Sequence, residues 1–289
     1  MADKQRSLKT RSWLRIVGLV LVAIVVDVAV HMPIPSANNL EGMTREPLPE
    51  SAIIQQGLFL PAFLILTFVV YLALAAVFRL LEVRLPGGRV AAGLSYGILF
   101  GGLWLIGMLE SSLILGTPVA HELTMGIADF IPIVVLGVLL GAFVASPRPT
   151  GEEARHVAAW AILPVAAAVL CGRYVAYLVL RIDSGLAVDP TGTFLWTLAI
   201  ALWIGFMYWR LAPAIPASGA TSRALGFSLV VFGSDWLLYY LYVPLVVAVD
   251  LADIVFRVTA DVVASSIGAL VAEWLISRAP SPTPSGAQG

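Results

Sequence analysis

The sequence predicts an all-α bundle of about eight helices that cross a lipid bilayer, and three observations lead there. Apolar residues make up 60% of the chain and charged residues 12%, against roughly 25% charged in an ordinary soluble domain. The apolar residues collect in stretches close to the roughly 20 residues that a spanning helix needs. The basic residues fall almost wholly on one side of the path those stretches imply, as the topology of membrane proteins demands. So little charge cannot cover a water-soluble globule of 289 residues. The apolar content excludes disorder, and the single cysteine, Cys171, excludes a disulfide scaffold.

Inside lipid only a helix or a closed barrel satisfies its own backbone. Eight helical spans follow: Trp13–His31, Ile54–Phe78, Val90–Leu109, Leu123–Ala145, Val157–Leu180, Phe194–Leu211, Leu225–Val249 and Leu251–Ser277. Between the last two, Val249-Asp250-Leu251-Ala252-Asp253 serves as the whole turn. Asp27 interrupts the first apolar run, and no small-x-small site follows it, so that run reads as an uncleaved anchor rather than a signal peptide. Pro61, Pro132, Pro164 and Pro244 fall within spans, where each removes a backbone donor and kinks its helix. Gly93, Gly97 and Gly101 recur every fourth residue, as do Gly137 and Gly141, a spacing that lets helices approach closely.

Eight spans with a cytoplasmic N-terminus place Lys4, Arg6, Lys9, Arg11, Arg15, Arg79, Arg84, Arg89, Arg148, Arg155, Arg210, Arg223 and Arg278 inside, 13 of the 17 basic residues. Outside remain Arg45 and Arg181, while Arg173 and Arg257 fall within spans. Both termini are therefore expected in the cytoplasm of a multi-pass cell-membrane protein. The loop from Pro33 to Ser51 is outer and acidic, and the Pro/Ser/Gly-rich residues 279–289 form a disordered tail.

A displacement of 132 residues sets Phe100-Gly101-Gly102-Leu103-Trp104 on Phe232-Gly233-Ser234-Asp235-Trp236 and Ala128-Asp129 on Ala260-Asp261. From Ala92 to Ala145, 10 of 54 aligned positions are identical. The expected organisation is a duplicated four-helix unit, residues 1–149 and 150–278. Four is an even number, so the halves are parallel repeats about an axis along the membrane normal, and Asp129 and Asp261 face each other across that axis.

Ionisable residues inside a membrane are costly, and they pair or line a water-filled path. Asp129, Arg173, Asp235, Arg257 and Asp261 fall at similar depth in the outer half and form the expected substrate site. Asp27, Glu110, Trp104 and Trp236 are secondary members, and Glu110 and Glu122 lie nearer the outer interface. Arg173 has Asp129 or Asp27 as a possible partner, and Asp253, Arg257 and Asp261 share one helix face as an ion ladder. Counting Asp27, Asp129, Asp235 and Asp261 against Arg173 and Arg257 leaves two excess negative charges, which favours a cation or an exchangeable proton. Tyr174, Tyr177, Tyr239, Tyr240 and Tyr242 read as an interfacial belt.

Other chemistry finds no support in the residue pattern. Lys4 and Lys9 both precede the first span, so a Schiff base within the bundle is excluded. His31, His121, Glu110 and Glu122 do not have the spacing of a helical metal motif, so no metal ligand and no cofactor is assigned. Cys171 reads as a buried, inert thiol. The expected partners are the bilayer and a small solute or ion, without nucleic acid. A small-solute or cation transporter is the leading expectation. Its alternatives are a membrane-embedded enzyme acting on a lipid or isoprenoid, and a non-catalytic sensor or assembly partner whose polar residues are all locked in pairs.

Overall fold

A computed structural model describes residues 2–34, 49–146 and 157–278, with no side-chain detail before Trp13. Eight helices in it are long and apolar enough to cross a membrane. They are α1 (Trp13–His31), α2 (Phe59–Leu81), α3 (Arg89–Ile114), α4 (Val119–Phe143), α5 (Ala159–Leu180), α6 (Pro190–Ala214), α7 (Ala220–Val246) and α8 (Leu251–Arg278). The chain is thus an all-helical, multi-pass membrane protein. Among the described residues there is no strand, only an isolated bridge between Glu50 and Val247. Most of the 33–51 loop and all of the 279–289 tail lie outside the described residues.

The helix limits differ from the sequence expectation for identifiable reasons. A separate turn, Ala52–Gln55, is capped by Ser51 and cut off from α2 by Gly57, whose φ of +70° favours glycine. α3 runs five residues beyond Leu109, which brings Glu110 inside it. Asp250 accepts the Ala252 N–H through its Oδ1 at 2.8 Å and so starts α8. Three of the four prolines are also better placed than the spans implied. Pro61 sits in the first turn of α2, and Pro164 in the first turn of the α-helical part of α5 that starts at Ile162. Pro244 sits in the first turn of Val243–Val246, the short segment that ends α7. No N–H is needed at such positions. Only Pro132 lies in a helix interior. Wider π-turns interrupt α5 at Ala176–Leu180, just after Arg173, and α7 at Gly226–Phe232, just before Asp235.

Contacts between helix ends define the two ends of the bundle. At the proximal end Arg79 reaches the Val144 carbonyl, Arg89 reaches the Ala142 carbonyl, and Arg223 pairs with Glu273 near the end of α8. At the distal end the Ser51 hydroxyl donates to the Leu245 carbonyl at 2.6 Å and joins the turn before α2 to the end of α7. Within the first four helices α1 packs on α2 and α4, and α3 packs on α4; within the second four α5 packs on α6 and α8, and α7 packs on α8. Between the two sets α3 meets α6, and α2 meets α7.

The glycine faces pack α3 against α4 without side chains between them. A Cβ on Gly93 would lie 2.2 Å from the Gly137 carbonyl oxygen, and one on Gly137 would lie 2.4 Å from that of Gly93. Gly97 and Gly141 are equally close to backbone, at 2.7 Å from Val134 and 2.4 Å from Arg89. Gly137→Ala must therefore push the helices apart, for an expected loss of about 1–3 kcal/mol. Gly18→Ala, at a position with nothing within 4 Å of the added carbon, should leave stability unchanged. Thermal denaturation of the two detergent-solubilised variants checks this, and equal melting points would refute the close-packing account.

Candidate functional site

Two polar clusters occupy the distal half of the bundle, and the first is centred on Glu110. This residue stands four positions before the end of α3 and is 5% exposed. Its Oε1 accepts from Nη1 of Arg173 and from Nη1 of Arg257, each at 2.7 Å. Its Oε2 accepts from the Tyr240 hydroxyl at 2.5 Å. Arg173, on α5, also grips Asp261 of α8 in a two-pronged pair, Nε to Oδ1 and Nη2 to Oδ2, both at 2.6 Å. Such fork-to-fork geometry is the strongest form of charge-assisted hydrogen bonding.

Neutral groups complete this cluster. The Trp236 indole N–H donates to Asp261 Oδ2 at 2.7 Å, and the Trp196 ring lies 4.9 Å from the Arg173 guanidinium carbon. Arg257 divides its remaining donors between Asp253 Oδ2 at 2.9 Å and the Asp183 carbonyl at 2.6 Å. Arg173, Glu110 and Asp261 are all buried. Each charge in this cluster meets an opposite charge, and each guanidinium nitrogen of Arg173 and Arg257 has an acceptor.

The second cluster joins α1 to α4. Asp27 and His31 are four residues apart on one face of α1, and His31 Nδ1 lies 2.9 Å from the Asp27 carbonyl oxygen and 3.0 Å from Asp27 Oδ1. On the other side of the ring, Nε2 is 3.4 Å from Asp129 Oδ1. One ligand atom from each of Asp27, His31 and Asp129 lies within 4.8 Å of the others, close enough to hold a metal ion. Asp27 is buried at 3% exposure, whereas the His31 and Asp129 side chains are 18% and 17% exposed. Asp129 follows Val119 by ten residues, or about 15 Å along α4 at the usual rise.

Asp235 of α7 extends the acidic character. It is buried, and both carboxylate oxygens accept from the Trp104 indole nitrogen, at 3.2 and 3.3 Å. Among the described residues it forms no salt bridge. Tyr242 donates to Thr67 Oγ1 at 2.8 Å, and its ring meets that of Phe63, which in turn meets His31. Trp104 packs edge-on against Tyr242 at 5.5 Å.

The structure therefore divides the five residues grouped from the sequence. Arg173, Arg257 and Asp261 come together, with Glu110 and Trp236, while Asp129 joins Asp27 and Asp235 lies with Trp104. Arg173 pairs with neither Asp27 nor Asp129. Asp261 gives its carboxylate to Arg173, so the ladder on α8 is confined to Asp253 and Arg257. Asp129 and Asp261 have separate partners in separate clusters. Tyr177, Tyr239 and Tyr240 are buried rather than interfacial, because their hydroxyls find partners inside: Thr197, the Met108 sulfur and Glu110. Cys171 is exposed on the outside of the bundle, not buried.

Two central residues carried a weaker signal. Glu110 lay beyond the assumed end of the third span, and His31 was the last residue of the first. The Asp27–His31 spacing of four was a legible sign of a shared face. At the proximal end Arg223, which the sequence placed in a loop, is buried against Glu273, whose carboxylate also accepts from the Tyr208 hydroxyl at 3.0 Å. Comparison of the chain with protein-family models, with curated proteins and with solved structures returned no match.

The Glu110 cluster makes a graded prediction for stability. Glu110→Gln leaves two buried arginines short of their common counter-charge and should cost roughly 3–5 kcal/mol. Tyr240→Phe removes one phenolic hydrogen bond and should cost about 1 kcal/mol. Denaturation of the two purified variants measures the difference, and equal losses would contradict the role of Glu110 as the shared anion.

Proposed function

We propose that this chain transports a cation across the membrane, with Asp27, Asp129 and Asp235 forming its binding region. One observation carries the reading: Asp27, Asp129 and Asp235 are linked through His31 and the rings of Phe63, Tyr242 and Trp104, and His31 is the one basic group paired with any of them among the described residues. Even a charged His31 leaves two negative charges in excess, whereas the arginines opposite are already matched. Such an excess attracts a metal ion, an organic cation or a proton. The His31 and Asp129 side chains are partly exposed rather than sealed within the bundle.

On this reading the Glu110 cluster is a structural clamp, and Arg173, Arg257 and Asp261 hold α3, α5 and α8 together. An enzyme acting on lipid would need those groups free to meet a substrate atom, and each of them is already paired with another. A wholly static assembly partner would leave no excess charge unmatched.

The helix neighbours support the parallel-repeat expectation. α1 contacts α2 and α4 as α5 contacts α6 and α8, and the contacts of α3 with α6 and of α7 with α2 are reciprocal. Asp129 pairs with the first helix of its half through His31, as Asp261 does through Arg173. Arg79, Arg89, Arg223 and Arg278 belong to the proximal helix ends, which supports cytoplasmic termini by the positive-inside rule.

Reconstitution into liposomes tests the proposal. Cation uptake, followed with monovalent and divalent tracers and a pH dye, should be abolished by Asp129→Asn and by Asp235→Asn. Neither variant should alter membrane abundance or melting temperature. Uptake that survives both substitutions, or absence of any cation flux in the unaltered protein, would refute the assignment.

A further inference from the structure

The geometry points to a divalent transition-metal site made by Asp27, His31 and Asp129, so that the cation is a metal such as zinc; this rests on the transport reading of the same region. The argument begins with His31. A carbonyl oxygen accepts hydrogen and cannot donate it, so the 2.9 Å contact between Nδ1 and the Asp27 carbonyl places a proton on Nδ1. In the neutral ring Nε2 then bears the lone pair, and it faces Asp129 Oδ1 at 3.4 Å. Metal-bound histidines are commonly oriented in this way, with the second nitrogen held by a carbonyl.

A second, independent observation concerns Asp27. Its Oδ1 is buried and accepts no hydrogen bond, although it lies 3.0 Å from Nδ1. The Nδ1 proton is directed at the carbonyl instead. A carboxylate oxygen left bare in a membrane interior is costly, and a cation satisfies it. The spacing fits as well. Ligand atoms about 2.0–2.2 Å from a tetrahedral ion stand roughly 3.4 Å from one another, and the Nε2–Oδ1 separation across His31 and Asp129 already has that value, 3.4 Å. The full set, within 4.8 Å, needs only a side-chain adjustment of Asp27 to close on an ion.

The donor set decides the class of ion. One imidazole and two carboxylates suit zinc, iron or manganese, whereas calcium and magnesium favour oxygen alone. Three protein ligands leave at least one coordination position for water, as in exchangeable rather than closed zinc sites. The ligands also come from two helices, two of them on α1 and one on α4, so a bound ion would tie α1 to α4, and its release would loosen that contact.

The test uses the full-length protein in detergent with Co²⁺ as a spectroscopic probe and Zn²⁺ as competitor. Unaltered protein should bind one Co²⁺ with visible bands of low-coordinate geometry, and Zn²⁺ should displace it. His31→Gln and Asp129→Asn should each weaken binding about 10–100-fold, while His121→Gln should not. Both site variants are near-isosteric, and either one that melts like the unaltered protein suffices. No Co²⁺ binding, or binding indifferent to both variants, overturns the assignment. If Co²⁺ fails to bind while other cations still enter liposomes in an Asp129-dependent way, the metal assignment falls and the transport reading stands. If Co²⁺ binds as described but no cation crosses the liposome membrane, the metal assignment stands and the transport reading falls.

Discussion

A charge buried among membrane helices must meet its opposite there, because the surrounding hydrocarbon offers nothing else. Glu110 is where this constraint is most concentrated. One carboxylate serves two guanidinium groups and a phenol, and through Arg173 it reaches Asp261 and the Trp236 indole. Helices α3, α5, α7 and α8 are therefore tied together by a single hydrogen-bonded unit. Removing one member leaves the others uncompensated in a medium that cannot solvate them. The glycine contact of α3 with α4 needs no such partners, since its closeness rests on backbone van der Waals contact.

The same constraint distinguishes the two distal clusters. Around Glu110 each carboxylate is paired with an arginine and each arginine with two carboxylates, so these groups are engaged with one another. Among Asp27, His31, Asp129 and Asp235 the acids outnumber the one basic group, and Asp27 Oδ1 accepts no hydrogen bond. If the halves are parallel repeats, equivalent interfaces have diverged in use. The α5–α8 interface carries an arginine, which holds its charge permanently. The α1–α4 interface carries a histidine, a side chain that ligates metals through its imidazole nitrogens.

The candidate site was partly legible from the sequence. Asp129, Arg173, Asp235, Arg257 and Asp261 stand out simply because charge is rare in apolar stretches, and all but the partly exposed Asp129 are buried in the protein. The partners were not legible. Glu110 ranked only as a secondary member because a hydropathy boundary falls a few residues short of the true helix end, and helices in proteins continue past the last strongly apolar residue. The tyrosines of α7 were taken for an interfacial belt because amphipathic rings favour headgroups. Buried acceptors such as Glu110 and Thr67 satisfy their hydroxyls equally well.

The sequence by itself determined that the chain is a bundle of eight apolar helices with charge buried inside it. Hydropathy is a sum along the chain, and a span needs only enough apolar residues in a row. Which acid meets which base was decided by the tertiary structure alone. A helix that is apolar on every side carries no periodic pattern to show which face turns inward. The rotation of each helix, and with it the separation of Asp129 from Asp261 and the meeting of His31 with Asp129, follows from packing against neighbours distant in the chain.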